Sequence, residues 1–288
     1  MAAQSHRRVD EICARVAARL ARIEGMEAIA LGGSRARGTA REDSDIDLGL
    51  YYDPDYPFSI EELDAAAAEL DDRHSTGLVT RFGDWGPAVN GGGWLIVDGQ
   101  HVDFLYRDLA RVREIIDQCV EGKPSGTYQL GHPLGFQNQI YLGETNCCRP
   151  LYDPDAALAS LKAMLAEYPP RLRSALVEKH LFDARFEIDI AEKPARRGDV
   201  MYVAGCLFRA AGFMTLVLYA INRRYYTNEK GAFTESIVFS QVPPGFHGRV
   251  ASVLSAIGSD PDALVKSVVS MRSVIDALDP LARAALEH

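Results

Sequence analysis

The sequence predicts an α+β chain in which a mixed β-sheet flanked by helices fills residues 1–150 and an all-α helical bundle fills residues 151–288. Three observations carry that prediction. Short apolar runs bounded by glycine, proline or aspartate recur in the first half, whereas helical periodicity with proline and aspartate start signals takes over from Asp153. A length of 288 residues at 47% hydrophobic content is enough to bury two modest cores.

The elements follow in order. Val9, Ile12, Val16, Leu20 and Ile23 recur at three- and four-residue spacing ahead of Gly25, so Ser5 to Glu24 reads as an amphipathic helix covering a sheet. Ala28-Ile29-Ala30-Leu31 is a short buried strand that runs into Gly32-Gly33-Ser34, where glycine permits a turn and a close backbone approach to a ligand. A helical turn follows, and then a strand from Ile46 to Tyr52 that stops at Pro54 and Pro57. Ser59 with Glu62 three residues on forms a capping box for an alanine-rich crossover helix to about Arg73. Runs 94–97 and 100–105 flank Asp98-Gly99, the pair favoured in a two-residue type I′ hairpin turn. Asp108 caps a helix carrying Val112, Ile115, Ile116 and Val120, after which a polar, glycine-rich passage reaches Pro150. In the second half Pro154 reads as a first-turn residue, Pro169-Pro170 as a break, and Asp199 as the cap of a long helix toward Tyr226.

Charge narrows the function. A net charge of -9 opposes the clustered lysine and arginine that gather long nucleic acid through counterion release, so a small substrate, a cationic one included, fits better. Five cysteines without CxxC spacing read as reduced thiols, and His6, Arg7, Arg8 and Asp10 interrupt any signal core, which together point to the cytoplasm. The apolar stretch Tyr202 to Ile221 holds Arg209 and two glycines and reads as a bundle helix rather than a membrane span. The closing Leu286-Glu287-His288 reads as an expression-tag remnant.

The chemistry concentrates in Ser44-Asp45-Ile46-Asp47-Leu48. Two aspartates two residues apart on a strand point to one face while Ile46 and Leu48 point to the other, and that face can chelate a divalent cation. Paired carboxylates repel without a cation, so an uncompensated pair is unfavourable. Asp103, between Val102 and Phe104, points away from the core and reaches the same cluster if its strand lies beside the first. Three carboxylates around two ions suit in-line nucleotidyl transfer. Read alone, each has a structural alternative as a turn, cap or solvated strand end.

Gly33-Ser34, ten residues, then Asp45-Ile46-Asp47 resembles the signature of the DNA-polymerase-β-like nucleotidyltransferase superfamily. The fuller string, Gly-Gly-Ser-Arg-Ala-Arg-Gly before Ser-Asp-Ile-Asp-Leu, is similar to its bacterial small-molecule branch, which includes aminoglycoside nucleotidyltransferases. The resemblance implies a nucleotidyltransferase core at 1–150 and a helical domain at 151–288 that closes the substrate cleft. It further implies a Gly33-Ser34 turn that holds the triphosphate, and Asp45, Asp47 and Asp103 as both catalytic acids and ligands of two Mg²⁺ ions. Lys230, after Tyr225-Tyr226-Thr227-Asn228-Glu229 at the end of the long helix, resembles a lysine that grips the triphosphate from the second domain.

Around this core, Ser34 offers a hydroxyl and an amide to phosphate or serves as an N-cap. Arg37, one turn after Ser34, pairs with phosphate oxygens or has no functional role. Arg35 reads as solvated or bound to a surface acid. Ser44 reads as a strand-end cap whose hydroxyl can orient Asp47 or a phosphate. The general base is Asp103, Glu178 or Glu187. Trp85 and Trp94, set among glycines, read as packing and turn residues or as the lining of a cleft. His101 reads as a strand-face histidine. The expected reaction is ATP- or other NTP-dependent transfer of a nucleoside monophosphate to a small-molecule hydroxyl. The alternatives are an antitoxin-like enzyme that modifies a protein, and a nucleotide-binding protein whose catalysis has decayed. A P-loop is excluded, because Gly32-Gly33-Ser34 lacks the Gly-Lys-Ser/Thr ending. Oligomeric state is not legible in the sequence.

Overall fold

The computed structural model describes residues 2–287, with side chains from Arg7 onward, so His288 and the side chains of Ser5 and His6 lie outside the described residues. The chain divides into two compact units, Met1–Asp117 with Gly126–Glu167, and Gln118–Ser125 with Tyr168–His288.

The first unit is built on a five-stranded mixed sheet in the order β3-β4-β2-β1-β7. Its strands are β1 (Ala28–Leu31), β2 (Ile46–Tyr52), β3 (Gly92–Val97), β4 (Gln100–Asp108) and β7 (Arg149–Tyr152), and a separate two-stranded ribbon joins β5 (Gly126–Thr127) to β6 (Phe136–Gln137). Only β2 and β4 run parallel; the other pairs are antiparallel. Alternation sets the faces. Ile46, Leu48 and Leu50 of β2, Val102, Phe104 and Tyr106 of β4, and Leu95 and Val97 of β3 are buried against helices α1 (Ala2–Leu20) and α3 (Ile60–Leu70), whose Val9, Ile12, Val16, Leu20, Leu63 and Ala67 complete the core. The opposite face carries the intervening residues.

Local signals hold where expected. The Ser59 hydroxyl accepts from the Glu62 amide at 3.2 Å, and Asp108 accepts from the Arg111 amide to open α4 (Leu109–Val120). Asp98 and Gly99 sit at φ 49° and 73°, the two positive values a type I′ turn requires. Other expectations are corrected. Helix α3 stops at Leu70, because the buried Asp71 carboxylate turns to accept from Arg73 and from the Ile96 amide of β3. Strand β7 occupies the end of the glycine-rich passage, where Pro150 sits on a sheet edge that asks little of its missing N–H. Asp153, rather than Pro154, prepares α6 (Ala157–Met164) by accepting from the Leu158 and Ala159 amides. Ahead of β7, α5 (Ile140–Cys147) packs against α6.

The second unit is helical. Pro169-Pro170 starts a helix rather than breaking the chain: Pro170 is the first residue of α7 (Pro170–Arg196), where a missing N–H costs nothing. Antiparallel to it, α8 (Val200–Ile221) is capped by Asp199 as expected but ends at Ile221, five residues before Tyr226. Helices α10 (Phe246–Ser255) and α11 (Pro261–Ala284) complete the bundle, and a short α9 (Ala232–Glu235) follows α8. Helix α8 is the one helix among the described residues long and apolar enough to cross a membrane, and its last nine residues are buried against the bundle. None of the five cysteines, all among the described residues, is in a disulfide.

Candidate active site

The site is assembled by one transverse row of the sheet. In the parallel β2–β4 ladder Asp47 is the partner of Asp103, and in the antiparallel β3–β4 ladder Asp103 is the partner of Trp94. Partners in register project from the same face, so Asp47, Asp103 and Trp94 stand side by side on the face away from the α1/α3 core. At the other side of Asp47 the row is continued by Gly32, whose amide donates to the Asp47 carbonyl at 2.8 Å just beyond the last β1 pair, Leu31 with Leu48. Asp45 lies one residue before β2 and is exposed, while Asp47 and Asp103 are half-buried. The register therefore puts Asp47 and Asp103 side by side on one sheet face, while Asp45 stands just ahead of the strand.

Gly33 is required by geometry. Its φ is +58°, and a Cβ built on it would fall 1.8 Å from Asp47 Oδ2. A side chain there would occupy the space of the carboxylate. Gly33 and Ser34 open the five-residue helix α2 (Gly33–Arg37), so the turn after β1 is held directly against the acid of β2. Ser34 is half-buried, and its carbonyl accepts from Thr39.

The electrostatics of the cluster are those of crowded carboxylates. Burial pushes the Asp103 carboxyl up to about 6, with repulsion from Asp45 adding to the rise and His101 opposing it. His101 is exposed two residues along β4, on the same face. Among the described residues no trio of histidine, cysteine, aspartate or glutamate already sits in cation-holding geometry. The donors themselves fit a hard cation: they are carboxylate oxygens, they share a face, and their mutual repulsion is what a divalent ion relieves.

Arg35 is the residue that sequence reasoning misplaced. Its guanidinium donates to the Asp45 carbonyl from Nε at 3.0 Å, to the Ser44 carbonyl from Nη2, and to Gln100 Oε1 at 3.1 Å. One side chain thus ties α2 to the head of β2 and the start of β4. The signal was available only as an arginine one residue after Ser34, with nothing local to say that it turns toward backbone carbonyls. Arg37 is half-buried at the end of α2. The Ser44 hydroxyl accepts from the Arg41 amide at 2.9 Å and closes the turn before β2. Lys230 belongs to the helical unit. It lies not at a helix end but in the exposed loop after α8, with its amide donating to Asn228 Oδ1 at 3.0 Å. Of the other candidate bases, Glu187 is bound to Arg209 at 2.6 Å and Glu178 is exposed on α7.

Farther along the same face the sheet is closed. Arg107, partner of Tyr51 across β2–β4, is buried and forms a bidentate pair with Glu144 of α5 at 3.0 and 2.9 Å, which leaves the acid-bearing end as the chemically available one.

Residues 13–81 match the family model described as a nucleotidyltransferase domain. That span contains Gly33, Ser34, Arg37, Ser44, Asp45 and Asp47; Asp103 and Lys230 lie beyond it. No curated protein matches. Among solved structures, a nucleotidyltransferase-like protein from Exiguobacterium sibiricum 255-15 is similar over 93% of this chain and 74% of its own, at 8% sequence identity and a TM-score of 0.42. Over residues 13–81 the chain is similar to a nucleotidyltransferase domain, which supports a transferase enzyme.

Proposed function

We propose that this enzyme transfers a nucleoside monophosphate from an NTP such as ATP to a hydroxyl group of a small, aminoglycoside-like molecule and releases pyrophosphate. The observation that carries the reading is the register: Gly32-Gly33 on one side of Asp47, and Asp103 on the other, in a single row. Asp45, Asp47 and Asp103 would hold two Mg²⁺ ions. When bound, such ions neutralise charge on the leaving pyrophosphate and lower the proton affinity of the attacking hydroxyl.

The chain's own groups do the rest. The Gly33-Ser34 turn, set against Asp47, receives the triphosphate through its amides and the Ser34 hydroxyl, with Arg37 and Ser44 beside it. Arg35 keeps the Ser44-Asp45 backbone in place, so that Asp45 does not drift from its neighbours. The acceptor oxygen forms a bond to the α-phosphorus as the bond from that phosphorus to the bridging oxygen breaks, and the electron pair leaves with pyrophosphate. The acceptor proton passes to Asp103, which alone of the three candidate bases stands on the face that carries Asp47.

The test is a screen for pyrophosphate release, with each NTP, Mg²⁺ and a panel of hydroxylated amines, followed by mass spectrometry of the products. Acceptor-dependent release with a nucleotide added to the small molecule is expected. Nucleotide found on a protein side chain would favour a protein-modifying enzyme, and nucleotide binding without turnover on any acceptor would favour a decayed one.

A further inference from the structure

The row that contains the acids continues into an aromatic surface. Trp94, the β3 partner of Asp103, is 59% exposed although it stands in the middle of a strand. It stacks on Trp85, with ring centroids 4.7 Å apart and planes at 30°. Trp85 is held from several sides. Its amide donates to the Asn90 carbonyl at 3.0 Å, its carbonyl accepts from the buried Gln129 at 2.7 Å, and Asn90 itself donates to Tyr52 of β2 at 2.7 Å. A Cβ on Gly92 would fall 1.8 Å from the Phe104 carbonyl and 2.7 Å from the Trp85 ring, so glycine admits both here. The pair is therefore a preorganised stack with one indole left open to solvent beside a carboxylate. Exposing so much indole area has a hydration cost that a purely structural residue would avoid by turning inward.

Its position is defined relative to both sides of the reaction. Across the sheet the order is Gly32, Asp47, Asp103, Trp94, so the turn assigned to the triphosphate and the tryptophan pair flank the acids from opposite sides. In an in-line displacement the attacking group enters opposite the leaving pyrophosphate, which is the β3 side. We infer that the Trp85–Trp94 stack is the platform on which the acceptor lies, and that the acceptor is a hydroxylated molecule carrying a protonated amine. The charge follows from the setting: an indole face attracts cations, and the chain as a whole carries -9. This inference rests on the proposed transfer reaction for its direction of attack, but its binding test does not.

The molecule supplies a probe, because it contains two tryptophans and both are in this stack. Tryptophan emission of the full chain is titrated with kanamycin A, spectinomycin and glucosamine, with trehalose as an uncharged polyol and with ATP without metal. Saturable quenching by at least one aminated probe, absent with trehalose and with ATP, is expected. Quenching by ATP with none from the aminated probes would make the stack a nucleobase site and overturn the inference, as would silence from all of them. In the pyrophosphate assay, Trp94→Ala should raise the KM of a working acceptor roughly 3- to 30-fold and leave the KM of the NTP unchanged, with Trp94→Phe intermediate. An equal fall in kcat for every acceptor at unchanged KM would place Trp94 in the scaffold instead. If no acceptor turns over yet aminated probes still quench, the transfer reading fails while the platform stands.

Discussion

Replacing Gly33 with alanine tests the site at the point where backbone and carboxylate are closest. The new Cβ would lie 1.8 Å from Asp47 Oδ2, against an ordinary contact of 3.4 Å or more, so the carboxylate must retreat by about 1.6 Å or the turn must open. Alanine at φ +58° adds a backbone strain of about 1 kcal/mol. Gly38 supplies the control, since it also has positive φ (+72°) but a Cβ there meets nothing within 4 Å. Both variants should lose about 1 kcal/mol from strain, a fall in Tm of about 2–4 °C for a unit of this size. Only Gly33→Ala should displace Asp47, and a misplacement on the order of 1 Å is worth about 100-fold in rate. The assay pairs thermal melting with Mg²⁺-dependent pyrophosphate release for the wild type and both variants. Equal activity in the two variants would refute the claim that Gly33 is glycine because of Asp47.

Two further outcomes follow from the structure. Asp47→Asn keeps volume and outline but removes the charge that holds the cation, so transfer should fall by orders of magnitude while the fold survives; calorimetric titration should show that Mg²⁺ no longer strengthens NTP binding, and an unchanged Mg²⁺ effect would remove the support for Asp47 as a ligand. The Asp71 carboxyl is held down at about 2, chiefly by Arg73, with the Ile96 and Arg73 amides assisting. A folded value below the unfolded one gives stability that is complete above about pH 4 and is lost as pH falls toward 2; allowing for the half-exposed Arg73, the loss is about 1 kcal/mol. Urea melts between pH 5 and 2 should show this acid limb in the wild type and a shallower one in Asp71→Asn.

What the sequence determined by itself is whatever neighbours in the chain decide. The strand bounds at Ala28–Leu31 and Ile46–Tyr52, the Asp98-Gly99 turn, and the caps at Ser59, Asp108 and Asp199 all rest on contacts within a few residues, where side-chain chemistry and backbone preference act without the rest of the fold. Alternation also put Asp47 and Asp103 each on the face away from its own apolar neighbours. It could not say that the two strands lie next to each other in parallel register, because that pairing is fixed by the α3 crossover and by the core that Leu48 and Phe104 share. The same holds for β7 at the sheet edge and for α8 stopping at Ile221. It holds for Arg35, whose partners at 44, 45 and 100 meet only when β2 and β4 are adjacent. Trp94 shows the difference most clearly. Among glycines its local setting matches that of a packing residue, and only the β3–β4 register, which joins residues nine apart through a turn, puts its open face beside Asp103.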